Sequence, residues 1–162
     1  MIPDSRFQIQ TVIYLQITMM DLRAEIDIAA SPSTIAGVMF DPQRYTEWIK
    51  TVERVDVLDP ALAPGARVRH HGAFMGKSIA WITEVEAVHF PHVLVLRIMD
   101  GPFVGTSRIG IQRHGGGSRV QMYNTGELKG MPSVPEAMVS GPLQSALQAD
   151  LVSLKALVEA QA

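Results

Sequence analysis

Residues 21–49 read DLRAEIDIAASPSTIAGVMFDPQRYTEWI and combine one strand with two short helices. Charged and apolar side chains alternate over residues 21–28, and this period of two predicts a strand with one solvent-exposed face and one buried face. Ser31 followed by Pro32 predicts the start of a first helix, with Ser31 as the N-cap and Pro32 at the first helical position. Asp41 predicts the cap of a second short helix, which runs to the end of the segment. The chain is therefore expected to begin with a strand that leads directly into two short helices.

The rest of the chain predicts strands separated by turns, followed by one long helix. One predicted strand includes residues 55 and 57, and the next begins at residue 67. Further strands are predicted over residues 78–88, 93–99, 103–113 and 118–128. After a linker at 130–135, apolar residues recur at helical spacing over residues 136–160. A single sheet of this length buries its dry face only by curling around another element, and the long helix is the candidate. We therefore expect an α+β helix-grip fold: a curved antiparallel sheet of about six or seven strands around the C-terminal helix, with a cavity between them.

The composition is apolar for a chain of 162 residues, since 47% of them are hydrophobic and 19% are charged. Such a chain inserts into a membrane, associates with itself or encloses a hydrophobic interior. It contains no run of about 20 apolar residues that would span a membrane. A net charge of −2 argues against a nucleic-acid partner, because phosphate binding needs an excess of clustered basic side chains. The absence of cysteine excludes disulfides, Cys-ligated zinc and thiol catalysis, and a cytoplasmic location is expected.

Several short motifs together carry a family resemblance. They are the strand 24–28 leading to Ser31-Pro32, Phe40-Asp41-Pro42 through Tyr45 to Trp48, Pro64-Gly65, Trp81-Ile82-Thr83-Glu84-Val85 before Phe90-Pro91, and Gly116-Gly117-Ser118-Arg119-Val120. In these motifs the chain resembles the START-like (Bet v 1-like, SRPBCC) superfamily, and within it the polyketide cyclase/dehydrase and lipid-transport-like families. The resemblance covers residues 22–160 and implies a ligand cavity. It does not imply one activity, because these families include aromatase/cyclases, hydrophobic-ligand carriers, ring-hydroxylase subunits and co-chaperone-like proteins.

The resemblance divides the chain into two parts. Residues 20–162 are expected to form the START-like ligand-binding domain, and residues 1–19 form an N-terminal extension. The extension has strand propensity, so it is either an extra strand, which extends the sheet or pairs with a partner chain, or a disordered leader. Met19 and Met20 leave a third interpretation open, in which the start site is over-extended. Pairing across a two-fold axis would make the protein a homodimer.

Strand parity selects the side chains that face the predicted cavity. His70 and Phe74 share the apolar side of their strand, Trp81 and Thr83 share that of the next, and Met122 and Asn124 share that of the last. An amide in this position is uncommon without a partner, so Asn124 is a candidate for a ligand carbonyl or hydroxyl. The predicted ligand-binding residues are His70, Phe74, Trp81, Thr83, Met122, Asn124 and Met138. His70 is also the candidate catalytic residue, as a general acid or base, although an interior hydrogen-bonded histidine is the simpler interpretation.

Methionine suits a pocket with a loose ligand preference, because its side chain adapts to irregular apolar shapes. Six methionines are expected to line the cavity or its mouth, with ordinary core packing as the alternative: Met39, Met75, Met99, Met122, Met131 and Met138. Two polar side chains are expected elsewhere. Trp48 is expected to seal the helix pair to the sheet rather than touch ligand, and Asp150 to lie at the boundary of the long helix's apolar stripe.

Three other motifs resemble a metal site, a phosphate loop and a serine hydrolase, but their surroundings do not support these functions. His70 and His71 are adjacent on a strand and point to opposite faces, so they cannot chelate a metal together. Gly76-Lys77-Ser78 lacks the earlier glycine of a phosphate loop and is followed by a strand, which predicts a hairpin. The sequence 114–117, HGGG, has no matching Gly-x-Ser-x-Gly elbow, so a serine hydrolase is excluded. No metal and no cofactor are expected.

Three functions remain open from the sequence. The first is a carrier or sensor of a small hydrophobic ligand (lipid, polyketide or isoprenoid-like), favoured by the surplus of aliphatic residues and the lack of a nucleophile–base pair. The second is a cyclase, dehydratase or aromatase in which His70 and Asn124 orient a substrate and move protons. The third is a protein-interaction module that docks through its N-terminal strand. Whether the protein is an enzyme is left undecided.

Overall fold

The computed structural model describes residues 19–129 and 135–161, and within them the chain forms seven strands and three α-helices. The elements in chain order are β1 (Met19–Ile28), α1 (Pro32–Met39), a 3₁₀ turn (Pro42–Arg44), α2 (Tyr45–Trp48), β2 (Val52–Val57), β3 (Arg67–Phe74), β4 (Lys77–His89), β5 (Val93–Met99), β6 (Phe103–His114), β7 (Gly117–Leu128) and α3 (Glu136–Glu159). All strands pair antiparallel in one sheet of order β1-β7-β6-β5-β4-β3-β2. The predicted α+β helix-grip fold is therefore confirmed.

Local sequence explains where the first elements begin. The charged residues of β1 are exposed and most of its apolar residues are buried, as the period of two predicts. The Oγ atom of Ser31 accepts a hydrogen bond from the backbone nitrogen of Thr34 at 3.2 Å, so Ser31 caps α1. Asp41 caps the following segment through Gln43 N at 3.0 Å. This segment is a 3₁₀ turn followed by a single α-helical turn rather than one continuous helix.

The outer edge of β1 is contacted by side chains of α3, and none of the other strands in residues 19–129 pairs with it. The backbone nitrogen of Arg23 donates to Oε1 of Gln144 at 3.0 Å, and Nε2 of Gln148 donates to the carbonyl oxygen of Glu25 at 3.1 Å. Further along, Nζ of Lys155 donates to the carbonyl oxygen of Asp27 at 2.8 Å. These side chains use the backbone groups that an additional strand would need. The predicted N-terminal extension falls almost wholly on residues 1–18, which lie outside the described residues.

The core and the cavity divide α3 between them. The C-terminal half of the helix packs into a solid core with α1, through fully buried side chains that include Leu151, Leu154, Ile35 and Phe40. The N-terminal half of the helix instead spans an open space above the concave face of the sheet. No helix among the described residues is long and apolar enough to cross a membrane.

Candidate ligand-binding cavity

A cavity of about 470 Å³ lies between the concave face of the sheet and the N-terminal half of α3. This volume is within the range of small-molecule sites, about 300–1,000 Å³. The walls are mainly aliphatic and aromatic. All seven side chains that the sequence selected contact this one space: His70, Phe74, Trp81, Thr83, Met122, Asn124 and Met138. Strand parity therefore places six of them together, and Met138 reaches the same space from α3; their role in binding a ligand is a proposal taken up below.

His70 is held inside an aromatic stack on one wall of the cavity. Its ring lies between Tyr45, with centroids 5.6 Å apart, and Trp81, with centroids 4.9 Å apart and planes 1° from parallel. Its Nε2 atom lies 3.0 Å from Oγ1 of Thr83, within hydrogen-bond distance. Burial, and to a lesser extent the neighbouring charge of His71, lowers the pKa of His70 from 6.5 to about 4. The imidazole is therefore neutral at pH 7, and its Nδ1 atom is buried with no hydrogen-bond partner among the described residues.

Asn124 is on β7, near the other edge of the sheet from His70, and its side chain is on the same face of the sheet. The register places it across from Leu22 on β1 and Ser107 on β6, which also line the cavity. Its Oδ1 atom is buried and has no hydrogen-bond partner within the described part of the chain. The inward orientation follows from the alternation of β7, where the residues of the same parity are the drier ones.

The expectation for Asp150 is wrong, because the structure buries this side chain on the cavity wall instead of placing it at a boundary. The residue is 7% exposed, and its Oδ1 atom accepts a hydrogen bond from the backbone nitrogen of Lys50 at 3.0 Å. Burial raises the pKa of Asp150 from 3.8 to about 6, opposed by the hydrogen bond from Lys50. A usable signal was present: Asp150 follows Leu147 by three residues and precedes Leu154 by four, which sets it on the buried stripe.

Trp48 is buried within the helical segment and also reaches the cavity. Its ring is buried and packs edge-on against Tyr45, with centroids 6.2 Å apart, but the side chain also lines the cavity. Its Nε1 atom is buried and has no hydrogen-bond partner in the described ranges. A tryptophan in this position was predictable as buried. That it reaches the cavity depends on how far the sheet curls, which the local sequence does not encode.

The mouth of the cavity is lined by flexible apolar side chains. Met75, at the tip of the β3–β4 hairpin, is 58% exposed, and Met138, in the first turn of α3, is 62% exposed. Met39 and Met122 line the cavity further in. Met99 does not line it, and Met131 lies outside the described residues. The hairpin itself is the one predicted at Gly76-Lys77, with Gly76 at φ +78°.

The charges around the cavity are few. Among its described lining residues, Lys77 is the one cationic side chain and Asp150 is the one carboxylate. Within residues 19–129 and 135–161, no group of three His, Asp or Glu side chains is arranged to hold a metal ion. The arrangement provides an apolar enclosure with a small number of hydrogen-bonding atoms, which suits binding and orientation of a hydrophobic molecule.

Comparison with solved structures shows the same fold in proteins from several bacteria. Protein TTHA0849 from Thermus thermophilus is 24% identical, with a TM-score of 0.76, over 88% of this chain and 99% of that one. A START superfamily protein from Mycobacterium smegmatis is 23% identical, with a TM-score of 0.74, over 90% of this chain and 99% of that one. The Zhui aromatase/cyclase from a Streptomyces species is 18% identical, with a TM-score of 0.71, over 87% of this chain and 94% of that one. At these identities the likeness shows the fold alone.

Sequence comparison identifies the family. No curated protein matches the chain in sequence. Residues 19–159, however, match the family described as polyketide cyclase / dehydrase and lipid transport. The match begins at the first residue of β1 and ends at the last residue of α3, so it covers the sheet and the helix that form the cavity. The chain therefore belongs to the polyketide cyclase / dehydrase and lipid transport family.

Proposed function

We propose that this protein binds and carries a small hydrophobic molecule in the cavity between the sheet and α3. The observation that carries the proposal is the division of α3, which packs a solid core along one half and leaves about 470 Å³ of apolar-walled space under the other. A fold that needed only a stable core would gain from filling this space, since buried apolar contacts stabilise. The proposed contacts are His70, Phe74, Trp81, Thr83, Met122, Asn124 and Met138, and the proposed location is the cytoplasm.

Carriage is favoured over turnover by the state of His70. A neutral imidazole with a pKa of about 4 is a weak base at pH 7, whereas an efficient general base has a pKa near the working pH. Its Nε2 atom lies 3.0 Å from the hydroxyl of Thr83, but an imidazole with this pKa is too weak a base to activate that hydroxyl efficiently at pH 7.

A second candidate, a cyclase, dehydratase or aromatase, has one observation in its favour. Asp150 lines the same cavity as His70, and its pKa of about 6 allows it to exchange a proton near neutral pH. The two candidates differ in the effect of His70→Ala. In a carrier this change shifts ligand affinity by a few-fold, and in an enzyme it abolishes turnover.

The direct test of the proposal is native mass spectrometry of the purified protein, with a co-purifying hydrophobic molecule as the expected result. A second arm measures binding of the neutral fluorescent probe N-phenyl-1-naphthylamine. Ala146→Phe, on the cavity wall, should weaken probe binding at least about tenfold, because the added ring occupies the space. Ala156→Phe, on the exposed face of the same helix, is the matched control and should leave binding unchanged. A wild-type protein that carries no ligand and binds no probe would contradict the proposal.

A further inference from the structure

Three residues that line the cavity each carry a buried polar atom with no hydrogen-bond partner among the described residues. The atoms are Nε1 of Trp48, Nδ1 of His70 and Oδ1 of Asn124. Trp48 and His70 are each 3% exposed, so neither atom is satisfied by bulk solvent. Buried polar groups in native proteins are nearly always paired, because an unpaired one carries its full desolvation cost. Three such atoms around one cavity indicate that a ligand supplies their partners.

The three atoms belong to two separate places. Trp48 and His70 both pack against Tyr45, so the two residues belong to the same end of the cavity. Asn124 is on β7, four strand positions away from β3, which carries His70. At about 4.8 Å per strand the two sites are about 19 Å apart along the sheet, and the curvature of the sheet shortens the direct path. A single ligand that satisfies both sites is therefore elongated.

The donor and acceptor character of each atom restricts the ligand further. The indole nitrogen of Trp48 only donates, the amide oxygen of Asn124 only accepts, and Nδ1 of His70 does either, according to its tautomer. A hydroxyl group donates and accepts, so it fits both places. A carboxylate fits neither the acceptor at Asn124 nor the neighbourhood of Asp150. Lys77, the one cation among the described lining residues, is an exposed residue of the β3–β4 hairpin and carries none of the three unpaired atoms.

Resting on the proposed function, we propose that the ligand is a neutral, elongated hydrophobic molecule with a hydroxyl group toward each end. One hydroxyl is held at the end of the cavity that contains Trp48 and His70, where it accepts from Trp48 Nε1 or pairs with His70 Nδ1. The other donates to Oδ1 of Asn124. The aliphatic and methionine side chains between the two sites contact the apolar body of the molecule.

The test compares linear diols with the corresponding mono-alcohols as competitors of N-phenyl-1-naphthylamine. The probes are decane-1,10-diol, dodecane-1,12-diol and tetradecane-1,14-diol, each against the mono-alcohol of the same chain length. Hydrophobicity alone predicts that every diol binds more weakly than its mono-alcohol, because a terminal hydroxyl must leave water. Partners at both ends predict instead that at least one diol binds as tightly as its mono-alcohol or more tightly.

Variants assign the two ends. Asn124→Leu keeps the side-chain volume and removes the acceptor, so it should weaken the best diol about tenfold. The mono-alcohol should change less than about twofold, because its one hydroxyl still has the Trp48 end. Trp48→Phe removes the indole donor and should weaken both competitors, which tests the inference independently if Asn124→Leu does not fold.

The outcomes separate this inference from the proposed function. If all diols bind more weakly than their mono-alcohols in the wild type, and Asn124→Leu changes nothing, the two-hydroxyl ligand is wrong while hydrophobic binding stands. If no alcohol displaces the probe, or the probe itself does not bind, the proposed function is contradicted as well.

Discussion

The Oδ1 atom of Asp150 lies 3.0 Å from the backbone nitrogen of Lys50 and accepts its hydrogen bond. Asp150 is in the middle of α3. Lys50 belongs to the short connection between α2 and β2. One buried carboxylate thus joins the long helix to the segment that carries Trp48. The contact links residues 100 positions apart and lines the proposed ligand site.

The charge of Asp150 is expected to destabilise the protein at neutral pH. Burial raises the pKa of its carboxyl from 3.8 to about 6, so between these pH values the native protein holds a proton that the unfolded chain releases. Ionisation of Asp150 therefore lowers the free energy of unfolding as pH rises through this window. The pKa difference of about two units corresponds to about 3 kcal/mol. Asp150→Asn keeps an oxygen for Lys50 N and removes the charge. It should be more stable than the wild type at about pH 8, by up to about 3 kcal/mol, with the difference largely gone at about pH 4.

Urea unfolding at several pH values measures this difference. Asp100→Asn, on the exposed turn between β5 and β6, is the matched control, and its difference from the wild type should vary much less with pH. A difference for Asp150→Asn that is the same at pH 4 and pH 8 would show that its carboxyl is not desolvated as the structure indicates.

His70 is expected to remain neutral well below pH 6.5. Burial lowers its pKa to about 4, so on acidification the unfolded chain takes up a proton that the native protein refuses. His70 therefore contributes to a loss of stability as pH falls from about 6.5 to about 4. An NMR titration, with the His70 signals assigned by comparison with His70→Gln, should give a midpoint near 4. A midpoint at or above 6.5 would contradict the buried aromatic stack.

Gly72 on β3 is expected to tolerate no side chain. A Cβ atom there would overlap the carbonyl oxygen of Thr51, next to the irregular pairing at the start of β2. Gly72→Ala should therefore lower the free energy of unfolding by about 3 kcal/mol, because β2 must move away from β3. Gly110→Ala on β6 is the matched control, since a Cβ atom there meets nothing within 4 Å. Equal thermal stability of the two variants would be evidence against this close approach.

The glutamines of α3 are expected to protect the edge of β1. Replacing both Gln144 and Gln148 by alanine removes their hydrogen bonds to Arg23 and Glu25, so the free energy of unfolding should fall by about 1–3 kcal/mol. Exchange of the Arg23 backbone amide should accelerate about tenfold, because its acceptor is lost. Ser145→Ala, on the exposed side of the helix, serves as the control.

The double variant also bears on self-association. An uncovered β1 edge is a site for strand pairing between copies of the chain, so sedimentation analysis should show more dimer than in the wild type. Unchanged exchange at Arg23 together with an unchanged monomer fraction would mean that the glutamines are dispensable for this edge.

Much of the fold was predictable because short-range rules govern it. Ser31 and Asp41 cap the helical segments that they were expected to cap, and β5 has its predicted bounds of Val93 and Met99. The second helical segment was predicted less well, since the switch between 3₁₀ and α geometry after Pro42 is decided by small energy differences. Asp150 was placed wrongly because its neighbour Lys50 is distant in sequence and contributes only a backbone amide.

The sequence by itself determined the order of the elements, their approximate bounds and the face of each strand on which a side chain lies, because these depend on alternation, caps and turn residues close in the chain. It therefore selected residues such as His70 and Asn124, which line one cavity. Only the tertiary structure decided that the cavity lies under the N-terminal half of α3, and that Trp48 and Asp150 reach it. The physical reason is that the curvature of a seven-stranded sheet and the fit of a helix against it are set by side-chain volumes and pairings summed across the whole chain.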